Sequence, residues 1–141
     1  WDFGGEYEIE DVDYGFGVSA PPYTKEDIEV IGMFIPKTNV VELILSGNLI
    51  SDISPLKDKL TNVQSLDLHN NQIQDITPLS GCIPNVQKLL LDDNQIQDVT
   101  TLKNTNVQTL WLMNNQIDIA SKQEFKAYWK SLGKKESCLY M

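Results

Sequence analysis

The sequence predicts an α/β fold: a right-handed solenoid with a concave parallel β-sheet, short convex turns or 3-10 segments behind it, and helical caps. Three observations carry this. A unit of apolar residues closed by Asn recurs four times, with Asn at positions 48, 71, 94 and 115, hence at spacings of 23, 23 and 21 residues. Each unit holds an alternation such as Leu66-Asp-Leu68, whose successive side chains fall on opposite faces of a short strand. Helix-start signals stand outside the repeats on both sides, at Thr24-Lys-Glu-Asp27 and Ser121-Lys-Gln-Glu124.

Residues 1–20 form an acidic, aromatic N-terminal arm. Asp2, Glu6, Glu8, Glu10, Asp11 and Asp13 have no base among them, and Trp1, Phe3, Tyr7, Tyr14 and Phe16 are interleaved. Glu6-Tyr-Glu-Ile-Glu10 alternates polar and apolar residues, which suits a strand added to an open sheet edge. The competing reading is an arm that engages a partner, with Tyr7 and Tyr14 placed for sulfation or phosphorylation. Residues 21–39 are expected to form the N-terminal helical cap. Pro21-Pro22 marks the boundary, Thr24 caps the helix, and Ile28, Ile31 and Phe34/Ile35 give it an apolar face over roughly residues 25–35.

Residues 40–118 hold about four repeats. The pairs Leu43/Leu45, Leu66/Leu68, Leu89/Leu91 and Leu110/Leu112 point into the core. The chain must then turn, and the amides of Asn48, Asn71, Asn94 and Asn115 can bond backbone groups that the turn leaves unpaired. Stacked copies make a structural Asn ladder. Ile50, Ile73, Ile96 and Ile117 fill the return path, and Asp52-Ile-Ser-Pro-Leu56 reads as a tight convex segment in which Pro forestalls a long helix. No unit buries its apolar face alone, so the units must stack. Residues 119–141 are expected to form a C-terminal helical cap and tail, with Phe125, Trp129 (beside Tyr128) and Leu132 on one face and Gly133 as the stop.

The formal charge is −9, from eleven Lys, no Arg and twenty acids. Without the Arg fork, and with an acidic field, nucleic acid and anionic membrane are poor partners. No apolar run is long enough to span a membrane, and the opening Trp1-Asp2-Phe3-Gly4 has no signal-peptide character, as expected of a trimmed chain. Cys82 and Cys138 are in no metal-type spacing. Two reduced thiols are expected, or one disulfide in an exported chain.

The water-facing strand positions form three columns: Glu42, Ser65, Lys88, Thr109; then Ile44, Asp67, Leu90, Trp111; then Ser46, His69, Asp92, Met113. Such positions should be polar, yet Ile44, Leu90, Trp111 and Met113 are apolar. A Trp and a Met exposed together look like a binding hot spot, with Asp67, His69, Lys88, Asp92 and Asp93 supplying specificity. A cap or a second copy covering this stripe is the alternative. His69, the only His, between Asp67 and Asp92 could serve a metal or act as a base, but the repeat supplies no third strong ligand, nucleophile or deep pocket. No catalytic residue, metal or cofactor is therefore expected. The expected partner is another protein, and the chain is expected to be monomeric, with a dimer as the alternative.

The runs Asn48-Leu-Ile-Ser-Asp-Ile-Ser-Pro-Leu56 and Asn71-Gln-Ile-Gln-Asp-Ile-Thr-Pro-Leu79 resemble the short leucine-rich repeats of the internalins, and the related class of a regulator of protein phosphatase 1. The resemblance covers roughly residues 40–118. It implies a leucine-rich-repeat solenoid that binds proteins, usually on its concave face; a secreted or cell-surface bacterial-type setting is favoured over a cytoplasmic one, and the compartment stays open.

Overall fold

The computed structural model describes residues 7–9, 22–37 and 39–141. Among them, one parallel sheet runs in chain order through β1 (Tyr7–Ile9), β2 (Val40–Ile44), β3 (Ser65–Asp67), β4 (Lys88–Leu90), β5 (Thr109–Trp111) and β6 (Leu139–Tyr140). Short 3-10 segments at Ser54–Leu56, Thr77–Leu79 and Thr100–Leu102 line the convex side. This is the predicted class. The remaining arm residues, Tyr14 and the aromatics Trp1, Phe3 and Phe16 among them, lie outside the described residues.

Each coil closes by the same three devices. First, the strand leucines and the return-path isoleucines are buried: Leu43, Leu66 and Leu89 lose all contact with water, as do Ile50, Ile73 and Ile96. Second, each ladder Asn bridges two coils. Asn71 Nδ2 donates to the Leu68 carbonyl of its own coil and to the Leu45 carbonyl of the coil before, at 3.1 and 2.9 Å, while its Oδ1 accepts from Ile50 N at 3.0 Å. Asn94 and Asn115 repeat the pattern, accepting from Ile73 N and Ile96 N. Asn48, in the first repeat, instead accepts at Oδ1 from Tyr23 N, at 2.7 Å. Third, Asp52, Asp75 and Asp98 each accept the backbone N–H two residues on, at 2.8 Å, which turns the chain into the 3-10 segment.

Helix α1 (Lys25–Phe34) starts on a reciprocal cap: the Thr24 backbone N–H and hydroxyl both donate to Asp27 Oδ2, at 2.8 and 2.9 Å. Its buried residues are Ile28 and Gly32. A Cβ at Gly32 would sit 2.6 Å from the Pro55 carbonyl oxygen, so α1 lies directly against the first convex segment. The apolar face closes with Ile35, whereas Phe34 is exposed.

Helix α2 (Ile119–Ser131) begins before the predicted Ser121 start. Asp118 is its cap and accepts from Ser121 N at 2.9 Å, so Ser121 lies inside the first turn. Phe125 and Trp129 are buried over the last repeat, but Leu132 is 47% exposed. Gly133 takes a left-handed turn, and the tail folds back. Lys134 then donates to the Val107 carbonyl at 2.7 Å and lies 4.5 Å above the Trp129 ring centre. The tail is thereby aimed along β5, and Leu112 N donates to the Tyr140 carbonyl at 2.6 Å. The last strand, β6, was not foreseen. Two residues are too few to show an alternation. Cys82 and Cys138 are both free thiols, and the disulfide alternative is not realised.

Candidate functional site

The strand register aligns the columns read from the sequence. Glu42, Ser65, Lys88 and Thr109 form one row, and Ile44, Asp67, Leu90 and Trp111 a second. Tyr140 extends the second row, paired with Trp111. Its ring centre lies 5.0 Å from that of Trp111, with the planes at 55°. Sequence reasoning missed Tyr140. The signal was its own residue type, a large ring between Leu139 and Met141 after a Lys-rich stretch, but only folding could place it.

Ile44, Leu90 and Trp111 are half-buried on this face, and Met113 is 39% and Tyr140 40% exposed. Lys88 is exposed one row away. The apolar stripe therefore exists as a surface of Leu90, Trp111, Tyr140 and Met113, only partly covered by the tail.

His69 lies against Asp67, with Nδ1 at 2.7 Å from Oδ1, and its backbone N–H donates to the same oxygen at 3.1 Å. The pair is local to one strand end, and the imidazole stays 40% exposed. Among the described residues, no group of three His, Cys, Asp or Glu side chains is arranged to hold a metal. Grooves of about 290 Å³ and 410 Å³ lie elsewhere, one between α2 and the tail, the other among amides at the sheet margin.

Asp92 departs from the sequence reading. A rim residue in water was expected, but Asp92 is only 8% exposed. Its Oδ1 is cut off from water and has no hydrogen-bond partner among the described residues, and the same holds for Trp111 Nε1. Burial pushes the Asp92 carboxyl up, against the pull of nearby His69. Asp93 is also explained differently. It is exposed but has φ +54°, and its Oδ1 accepts from Asn114 at 2.7 Å. Gly47, Asn70 and Asn114, at the same point of their coils, share that left-handed conformation. The residue types there follow from backbone sterics, which Gly, Asn and Asp tolerate best.

No helix among the described residues is long and apolar enough to cross a membrane. A comparison with curated protein sequences gave no match. The solved structure of an internalin (inlF) from Listeria monocytogenes is similar, with 27% identity and a TM-score of 0.62 over 72% of this chain and 29% of that one. An internalin C2 (inlC2) from the same organism shares 31% identity over 70% of this chain and 50% of that one, with a TM-score of 0.46. The chain thus spans half or less of the length of these internalins. A family model described as Leucine Rich repeats (2 copies) matches residues 38–81 and 84–124. Those matches cover more than half of the sequence, and the register, Asn ladder and convex 3-10 segments are what such repeats require: the chain belongs to the leucine-rich-repeat family, with an internalin-like solenoid.

Proposed function

We propose that this chain is a non-catalytic recognition module that binds another protein on its concave face. The observation that carries the reading is the outward cluster of Leu90, Trp111, Met113 and Tyr140 at the C-terminal end of the sheet. Strand positions facing water have no folding reason to be apolar, whereas large aromatic and Met side chains on a rigid sheet give contact area at low entropic cost. Asp67, His69, Lys88, Asp92 and Asp93 would supply selectivity, and Ile44 would extend the apolar row.

The test is capture of partner proteins from source cells by the immobilised chain and by its Trp111→Ala and Met113→Asp variants. Both variants are expected to lose at least ten times in captured partner, while circular dichroism stays that of the parent. Undiminished capture would move the interface elsewhere, first to the acidic arm of residues 1–20. A secreted or cell-surface setting, as the internalin resemblance suggests, predicts labelling of intact source cells by an antibody to the solenoid.

A further inference from the structure

The two unpartnered atoms of the concave face specify a complement. Asp92 Oδ1 can only accept a hydrogen bond when ionised, and Trp111 Nε1 can only donate one. Both are cut off from water, and neither bonds the other. Asp67 has its partner in His69 at 2.7 Å, whereas Asp92 Oδ1 has none among the described residues. The ligand therefore needs a donor for Asp92 and an acceptor for Trp111.

Charge narrows the choice. The concave positions carry Glu42, Asp67, Asp92 and Asp93 against Lys88, within a chain of net charge −9. A cation is favoured here and a second carboxylate repelled. The neighbouring surface is aromatic, from Trp111 and Tyr140 with ring centres 5.0 Å apart. A guanidinium is planar and weakly hydrated, stacks on such rings, and forks its donors toward a carboxylate, whereas an ammonium is a compact, strongly hydrated point charge. The adjoining carbonyl of the same residue supplies the acceptor.

We propose that the Asp92–Trp111 site receives an arginine of the partner protein, its guanidinium donating to Asp92 and a main-chain carbonyl beside it accepting from the Trp111 indole N–H. This rests on the reading of the concave face as a protein-binding surface, and adds what that surface selects. Because both atoms are closed in the free chain, entry requires rotation of a side chain next to them. Met113, unbranched and 39% exposed, stands one register position from Asp92 and is the candidate for that movement.

The experiment is a two-dimensional nitrogen–proton NMR titration of the full chain at pH 7 with acetyl-Gly-Arg-Gly-amide. The readout is the Trp111 indole signal, assigned by its loss in W111F. The arginine peptide is expected to move that signal saturably, and D92N to weaken the apparent affinity at least tenfold. Acetyl-Gly-citrulline-Gly-amide, which keeps the shape without the charge, is expected to leave the signal unmoved. An unmoved signal with the arginine peptide, an equal response to citrulline, or a D92N titration matching the parent would each overturn the assignment. If W111A and M113D abolish partner capture while the arginine peptide has no effect, the concave face still binds protein and only the arginine assignment falls.

Discussion

At the scale of single residues, Asp92 is the clearest departure from what the sequence leads one to expect. A strand-end position that holds Ser46, His69 and Met113 in the other coils here holds a buried carboxyl whose Oδ1 has no partner among the described residues. Its folded-state pKa is raised above the ordinary 3.8 by burial. The unfolded chain then binds fewer protons at this site than the folded chain just above pH 3.8, so the Asp92 contribution to stability falls as pH rises through that window. At neutral pH the charge costs stability. Asp92→Asn removes the charge but keeps the shape, and should raise stability at pH 7 by about 1 kcal/mol, or about 4 °C in Tm. The gain should vanish below about pH 4, where the native carboxyl is protonated. Thermal scans of both proteins at pH 7 and pH 3.5 check this, and an equal difference at both would exclude a charge effect. Trp111 is the matching case on the donor side. Its type was legible as an anomaly in the sequence, but its lost hydrogen bond was not.

At the scale of elements, the two caps are fixed by different means. Helix α1 is held to the solenoid through a close approach at Gly32 and an ion pair between Lys25 and Asp52 at 2.8 Å. The ion pair is exposed and contributes little. The glycine contact decides the packing. Gly32→Ala would gain up to about 1 kcal/mol from helix propensity. It would lose about 1–3 kcal/mol from a methyl forced against the Pro55 backbone, which has no flexible end to yield. The clash should win, with a net loss of about 1 kcal/mol in chemical denaturation. A stabilised Gly32→Ala would show that α1 can slide. Helix α2 is instead locked by side chains: Phe125 and Trp129 buried beneath, and Trp129 Nε1 donating to the Lys135 carbonyl at 3.0 Å. That lock directs the tail into β6. The sequence showed a helix with an aromatic face there. It did not show the helix start, because Asp118 and Ser121 are both good caps and only the path of the preceding coil chooses between them.

At the scale of the whole molecule, acidity acts through many small terms. Among the described residues, hydrogen bonds to the charged form hold five carboxyls below their ordinary range, Glu26 at the start of α1 being one. The Thr24 backbone does so for Asp27, Lys25 and Ser54 for Asp52 (pKa about 2), the Thr100 backbone for Asp98, and Ser121 for Asp118. For each, the unfolded chain binds more protons below its ordinary pKa, so the stabilisation is present above about pH 4 and lost as pH falls toward 2. Asp92 opposes this, one group against five. The melting temperature should therefore drop steeply from pH 4 to pH 2. Asp52→Asn should shallow that slope, as circular dichroism melts at several pH values would show. A slope unchanged by Asp52→Asn would put the acid sensitivity elsewhere.

By itself the sequence determined the solenoid, the inward leucines, the Asn ladder and the anomalous stripe, because each follows from a local period repeated four times. Local rules written into every coil survive averaging over its neighbours. Only the tertiary structure decided that Tyr140 joins Trp111 and that Asp92 is shut away from water. It also showed that Asp93 owes its place to backbone geometry. These depend on how the tail folds back and on which side chains close over a given atom. Such long-range packing leaves no period in the sequence to read.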